Sequence, residues 1–123
     1  MIDTPNFDSY IKNYHTAIKD REDFEDFCVD SSATLSVYGL RDCRDLDFLH
    51  LKDVAPISYN VECHNSHTGH YRQKKDDIIY NPKFHFYVHG VKFASIKVVK
   101  EMKVLRNEDK DKIDVKLING IDK

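Results

Sequence analysis

The feature that most constrains this chain is a pair of aspartates, Asp45 and Asp47, inside an otherwise apolar run. In a β-strand, residues two positions apart point to the same face. A strand here would therefore present both carboxylates on one face and bury Leu46 and Phe48 under the other. Two like charges held that close repel each other, and a bound divalent cation or neighbouring arginines would offset the repulsion. The stretch predicts a strand from Asp45 to about Leu51 that serves chemistry as well as packing.

Two arginines, Arg41 and Arg44, stand immediately before the aspartate pair. We expect them to balance the charge of the two acids or to contact an anionic substrate. The simpler alternative is an exposed edge strand whose acids pair with these arginines and bind nothing else. The alternatives differ in whether the two carboxylates hold a metal ion.

The length of 123 residues predicts a single domain, residues 1–123, which can bury a core without disulfide bonds. A formal net charge of −2 gives no electrostatic case for binding nucleic acid or an anionic membrane. No apolar run approaches the ~20 residues of a transmembrane helix, and the N-terminus lacks the features of a signal peptide. Three cysteines at irregular spacing are typical of reduced thiols. Together these features predict a soluble, cytoplasmic protein.

The first third of the chain predicts two helices. Residues 7–27 carry helical signals, with apolar side chains at helical spacing, and a charged break at 19–23 is expected to end the first helix. The polar segment 30–32 then predicts a turn and a helix cap. A short helix over Ala33–Tyr38 is expected to follow and to end at Gly39.

The middle of the chain predicts short strands. Ile57–Val61 and Ile78–Tyr80 are expected as strands on either side of a polar, histidine-rich loop from Cys63 to Lys75. Alternating apolar residues at 84–88 predict another strand, and residues 91–93 beyond a glycine complete a hairpin.

The last third predicts two helices. Ser95 is expected to cap the first of them, which Asn107–Asp109 ends, and a final helix from about Lys110 places Ile113 and Leu117 on one face. The order of elements indicates an α+β or α/β fold with a small mixed sheet, and we adopt α+β with helices flanking the sheet.

These residues resemble the nucleotidyltransferase superfamily. From Val29 to Phe48 the chain follows that family's pattern of a hydrophobic residue, a Gly-Ser turn, a short helix and Asp-hydrophobic-Asp on a strand. When Asp45 and Asp47 are aligned with the family's metal-binding acids, Asp30-Ser31 falls on the turn. The C-terminal helices of the AbiEii-type branch are similar to Lys92-Phe93-Ala94-Ser95, Met102-Lys103, Arg106, Lys110-Asp111 and Asp114. Residues 39–47 and 78–82 resemble small domains of surface-glycan (polysaccharide) biosynthesis proteins.

The resemblance implies transfer of a nucleoside monophosphate from a nucleoside triphosphate to a glycan-related or small-molecule acceptor. Asp45 and Asp47 would be catalytic and would bind Mg²⁺ as the cofactor. The implied nucleotide contacts are Ser31 and Ser32 at a helix start, the charge-balancing Arg41 and Arg44, and Lys103. Lys103 and Arg106 would steady phosphates or link the C-terminal helices to Asp111 and Asp114.

The chain departs from the family pattern in two respects. Asp30 stands where the family has its turn glycine, and an extra carboxylate beside a triphosphate is unfavourable unless it points away. The third acid, which many members use to bind metal and activate the acceptor, is open among Glu62, Asp76 and Asp77. We choose Glu62 as the catalytic third acid because it ends a possible strand.

Two alternative functions and one alternative site remain. A non-catalytic nucleotide- or partner-binding module of the same fold would explain both departures. A toxin-like nucleotidyltransferase acting on RNA is the other function, although the near-neutral charge disfavours it. The motif Cys63-His64-x-x-His67-x-x-His70 contains zinc-ligand residue types, but its spacing matches no standard zinc finger, so a polar loop able to touch substrate is favoured.

Overall fold

A computed structural model describes residues 2–122 of the chain, without the side chains of His67 and Asp122. Its helices are α1 (Pro5–Ile18), α2 (Ser32–Val37), α3 (Lys75–Tyr80), α4 (Ile96–Arg106) and α5 (Asp109–Asn119). Its strands are β1 (Phe27–Asp30), β2 (Leu46–His50), β3 (Val61–Cys63), β4 (His85–Val88) and β5 (Val91–Ala94). The strands form a mixed sheet with helices packed against it, which confirms the predicted α+β class.

The strand order in the sheet is β3-β2-β1-β5-β4. β1 lies at the centre, antiparallel to β2 and parallel to β5, while β2 and β3 are parallel. β4 and β5 form the predicted antiparallel hairpin. Its two turn residues, His89 and Gly90, have φ angles of 49° and 80°, as the two-residue turns of twisted hairpins require.

The sheet buries a hydrophobic core on each face because side chains alternate along its strands. On one face Phe27 and Phe48 pack with Tyr14 of α1. On the other face Cys28 and Leu49 belong to a second core, to which α3 and α4 also contribute. The predicted burial of Phe48 beneath the strand of the aspartate pair is therefore confirmed.

Several predicted elements are wrong in type or position. Ile78–Tyr80 is the last turn of α3 rather than a strand, because a short apolar run fits a helix and a strand equally well. The strand expected at Ile57–Val61 instead begins at Val61 and continues to Cys63. The loop expected after Cys63 contains a 3₁₀ turn at Asn65–His70. The first helix, by contrast, ends at Ile18, directly before the charged break at 19–23 that was expected to end it.

The C-terminal helices begin and end close to the predicted positions. The Ser95 hydroxyl accepts a hydrogen bond from the Val98 N–H at 3.3 Å, which confirms the predicted cap. The buried face of α5 is not the one expected, because Ile113 is 62% exposed while Asp114 and Ile118 are buried. Among the described residues, no helix combines the length and the apolar character needed to cross a membrane.

Candidate functional site

One acidic residue on each of three adjacent strands forms a row across the sheet. Asp30 of β1 lies opposite Asp47 of β2, and Asp47 lies opposite Glu62 of β3. Registered neighbours point to the same face, so the three carboxyl groups share one side of the sheet. Like charges directly opposite each other destabilise a sheet unless other groups offset them.

Asp47, in the middle of this acidic row, is half-buried. Burial and the charge of Asp30 raise its pKa to about 6, and Asp45 and Glu62 act in the same direction. His64 opposes this shift through its positive charge. The protein therefore compensates the negative charge of Asp47 only in part.

A pocket of about 460 Å³ opens beside the acidic row. Every site residue predicted from the sequence except Glu62 is among its described lining: Ser31, Ser32, Arg41, Arg44, Asp45, Asp47 and Lys103. Further cations on its wall come from α4 and α5 through Arg106 and Lys110. His64 and Ile113 also line the pocket, and the sequence did not predict either of them as site residues.

A network of buried ion pairs underlies the wall formed by α4 and α5. Lys103, which is 2% exposed, places Nζ 2.9 Å from Asp114 and 3.6 Å from Asp111. Arg106 binds Asp111 through Nε and Nη2 at 2.8 and 2.6 Å. Burial alone would raise the pKa of Asp111, but the hydrogen bonds from Arg106 and from the Glu108 N–H, with the charges of Arg106 and Lys103, together outweigh burial and lower the pKa to about 2. The contacts confirm that Lys103 and Arg106 link α4 to α5, while their contact with phosphates stays a prediction.

Arg41 joins the same network from the loop before β2. It binds Asp114 through Nε at 2.7 Å and Nη2 at 2.8 Å, and Nη2 also donates to the Ser32 hydroxyl at 2.8 Å. The described contacts of Arg41 thus connect α2 and α5 and do not include Asp45 or Asp47. Arg44 is exposed, and its side chain makes no hydrogen bond or ion pair with the side chains that the structure describes. Of these two arginines, Arg44 is therefore the one left available for an anionic ligand.

The turn between β1 and α2 holds a strained residue at the pocket. Ser31 has φ 57° and ψ −134°, a conformation that glycine adopts readily and other residues rarely adopt. The glycine-like position therefore falls one residue after Asp30, the residue aligned with the family's glycine. The side chain of Ser31 makes no hydrogen bond to α2, so the expected side-chain cap is wrong at this residue.

Asp30 is fully buried behind the pocket. Its Oδ2 atom accepts a hydrogen bond from the Tyr71 hydroxyl at 2.6 Å and lies 3.2 Å from Nδ1 of His64. The Ser31 hydroxyl donates to the same oxygen at 3.3 Å. Among the described residues Oδ1 of Asp30 has no hydrogen-bond partner. The carboxyl group is thus turned toward Tyr71 and His64.

A second pocket, of about 390 Å³, lies between α1 and the β4–β5 turn. Its lining is largely apolar, with Phe7, Ile11 and Phe93 at its base and His89 of the hairpin turn beside them. None of the site residues predicted from the sequence is part of its described lining. The pocket beside the acidic row, which combines carboxylates and cations, is therefore the candidate functional site.

No protein-family model matches this chain, and comparisons with curated proteins and with solved structures found no match either. The nucleotidyltransferase resemblance remains a prediction from the sequence. Among the side chains that the structure describes, no three from histidine, cysteine, aspartate or glutamate are grouped so that they could hold a metal ion by themselves.

Proposed function

We propose that this protein is a Mg²⁺-dependent nucleotidyltransferase that transfers a nucleoside monophosphate from a nucleoside triphosphate to a hydroxyl of a small-molecule or glycan-related acceptor. The observation that supports the proposal is that one pocket combines Asp45 and Asp47 with cations from α4 and α5. A triphosphate with its magnesium ion needs both kinds of group, since carboxylates bind the metal and cations bind phosphate oxygens.

Asp45 and Asp47 fit the role of magnesium ligands. The raised pKa of Asp47, about 6, shows that its charge is poorly compensated by the protein, and a divalent cation would supply the missing compensation. Mg²⁺ is usually held by one or two carboxylates, while water and phosphate oxygens complete its coordination. When bound, the ion offsets the negative charge of the phosphates as the transferred group changes partners.

The cations of the pocket would bind the triphosphate. Lys103 and Arg106 are held by buried carboxylates, so part of the entropy cost of fixing their side chains is met when the protein folds. Lys110 and Arg44 are exposed at the same pocket and can move to meet the ligand. This combination of fixed and movable cations suits a flexible polyphosphate.

Calorimetric titration of each common nucleoside triphosphate with Mg²⁺ tests the proposal on the full chain. We expect binding that requires Mg²⁺ and that is lost in the double variant Asp45→Asn/Asp47→Asn. The matched control is Asp76→Asn/Asp77→Asn, which removes two exposed acids from α3, and it should bind as the wild type does. Failure of the wild type to bind any triphosphate would contradict the proposal.

Turnover is measured next, as pyrophosphate release in the presence of a panel of monosaccharides and sugar alcohols as acceptors. Release that depends on both Mg²⁺ and an acceptor supports an enzyme. Nucleotide binding without release would instead favour a non-catalytic module of the same fold.

A further inference from the structure

His64 lies in the candidate pocket but has no role in the proposed binding of nucleotide and metal. Its side chain is 14% exposed and lines the pocket together with Asp45 and Asp47. Its Nδ1 atom lies 3.2 Å from Oδ2 of Asp30, which in turn accepts the Tyr71 hydroxyl. A chain of three side chains, Tyr71–Asp30–His64, thus leads from the core to the pocket.

Asp30 determines which nitrogen of His64 carries the proton. Oδ2 of Asp30 already accepts hydrogen bonds from Tyr71 and Ser31, so it acts as an acceptor, and Nδ1 of His64 must be the donor. In the neutral imidazole the other nitrogen, Nε2, is then the atom that can accept a proton. A buried carboxylate that fixes Nδ1–H is how histidine bases are oriented in serine hydrolases.

We propose that His64 is the general base that activates the acceptor hydroxyl, with Asp30 as its positioning residue. This inference rests on the proposed function, because it concerns a step of the same transfer. The acceptor oxygen attacks the α-phosphorus and forms a new P–O bond. The bond from the α-phosphorus to the oxygen that bridges to the β-phosphate breaks, and pyrophosphate leaves with its electron pair. The hydroxyl proton passes to Nε2 of His64 and from there to solvent.

The position of Glu62 favours His64 for this role. The sequence assigned activation of the acceptor to Glu62, which lies on β3 two residues before His64. Glu62 is exposed and is absent from the described lining of the pocket, whereas His64 is part of that lining. The structure therefore brings the imidazole, and not this carboxylate, to the place where substrate would lie.

The same inference accounts for Asp30, the departure from the family's turn glycine. A carboxylate pointing at the triphosphate would repel it, but Asp30 is fully buried and directs Oδ2 to Tyr71 and His64. Its negative charge therefore acts on the ring of His64. An aspartate at this position serves to orient a base.

The charges around His64 set the expected pH dependence. Burial disfavours the protonated ring, but the hydrogen bond to Asp30 and the charges of Asp30 and Asp47 outweigh burial and the opposing charge of Arg106. Without a metal ion on Asp47, the pKa of His64 is therefore raised above the ordinary value of histidine, and the hydrogen bond to Asp30 acts in the same direction when Mg²⁺ is bound. We expect the rate to increase with pH as His64 loses its proton.

The test is the pH profile of pyrophosphate release by the full chain, with Mg²⁺, the triphosphate that binds and the sugar panel. His64→Gln should lower kcat by about 10²- to 10⁴-fold and abolish the rise of kcat with pH, while the affinity for the triphosphate stays within about twofold. Asp30→Asn should keep the rise but shift it to lower pH, since the charge that favours the protonated ring is gone. His89→Gln, in the hairpin turn beside the second pocket, is the matched control and should behave as the wild type does.

A second variant separates catalysis from folding. His64→Ala should regain activity when imidazole is added, and the regained activity should follow the pKa of free imidazole. A wild-type pH profile in His64→Gln would overturn the assignment of the base and leave the proposed function standing. Nucleotide binding without any pyrophosphate release by the wild type would overturn the assignment of the base but not the nucleotide site, whereas absence of nucleotide binding would overturn both.

Discussion

The two sides of the candidate pocket treat buried charge in opposite ways. On the side of α4 and α5, each buried carboxylate has two cationic partners. Asp111 contacts Lys103 and Arg106, and Asp114 contacts Lys103 and Arg41. The pKa values of both aspartates are lowered, because these cations outweigh the effect of burial.

On the side of the sheet, the carboxylates face one another instead. Asp30, Asp47 and Glu62 stand in register on neighbouring strands, and the pKa of Asp47 is raised to about 6 by burial and by Asp30. One oxygen of Asp30 has no hydrogen-bond partner within the described part of the chain. The positive charge that His64 carries when it is protonated partly offsets the negative charge of Asp47.

Burial of charge therefore does not by itself identify a functional site. Carboxylates with matched cations hold two helices together and are explained by the fold. Carboxylates that the fold leaves partly uncompensated cost stability, and such groups concentrate where a ligand or a reaction supplies the compensation. The following substitutions test the two sides separately.

Lys103→Met should have the largest effect on stability. It removes the cation that Asp111 and Asp114 share and keeps most of the side-chain volume. Because both carboxylates would stay buried with one partner fewer, we expect the free energy of unfolding to fall by about 3 kcal/mol, measured by urea denaturation at pH 7. Lys110→Met, on the exposed side of α5, is the control and should change it by less than about 0.5 kcal/mol. Equal effects of the two substitutions would refute the structural role of the network.

Asp47→Asn should act in the opposite direction on the other side of the pocket. A carboxyl group whose pKa is about 6 in the folded protein and about 4 in the unfolded chain binds its proton more tightly when folded. Its contribution to stability is therefore present below pH 4 and is lost as the pH rises to 6. Without Mg²⁺, the asparagine variant should be more stable than the wild type by about 1–2 kcal/mol at pH 8. At pH 4 the free energies of unfolding of the two proteins should be nearly equal.

Urea denaturation at the two pH values measures this difference, and Asp76→Asn on the exposed face of α3 serves as the control. A variant of Asp47 that is less stable than the wild type at pH 8 would show that the acidic row is compensated in the folded protein. The two sides of the pocket would then not differ in how well their carboxylates are compensated.

Ser31→Gly tests the strained turn between β1 and α2. Glycine adopts φ 57° without the steric cost that serine pays, so the substitution should raise stability by up to about 1 kcal/mol after the greater flexibility of unfolded glycine is subtracted. Ser31→Ala is the matched control, because it removes the same hydroxyl but keeps the strain. Thermal denaturation should rank glycine above serine and serine above alanine. A glycine variant that melts below the alanine variant would mean that the hydroxyl, rather than the backbone, decides stability here.

The sequence predicted those parts of the molecule whose patterns are local. Alternation placed Phe48 in the core beneath Asp47, and the family resemblance of the tail implied, as one of two roles, that Lys103 and Arg106 link to acids of α5. The sequence did not predict β1, because a central strand that is buried on both faces shows no alternation of apolar and polar residues. The contact of Arg41 with Asp114 spans 73 residues, and no local spacing encodes it.

The sequence predicted the two acids of the candidate site, and it favoured a polar loop that could touch substrate without singling out His64 within that loop. Asp45 and Asp47 are recognisable because two acids interrupt an apolar run. His64 lies in a segment with three other possible zinc ligands, where no spacing separates one histidine from the next. The register of β3 against β2 continues to His64, whose N–H donates to the Phe48 carbonyl at 2.7 Å, and His64 lines the pocket. That register depends on long-range pairing.

Ile113→Ala should have the smallest effect, and it tests the face that α5 presents to the pocket. Ile113 is 62% exposed at the pocket, whereas Ile118, on the same helix, is buried in the core. We expect the free energy of unfolding to change by less than about 0.5 kcal/mol for Ile113→Ala and to fall by about 2–4 kcal/mol for Ile118→Ala, both measured by urea denaturation. If the two substitutions lowered the free energy of unfolding equally, α5 would be rotated from the orientation described. Lys103 would then lose its contact with Asp114, and the buried carboxylates of α5 would no longer have matched cations.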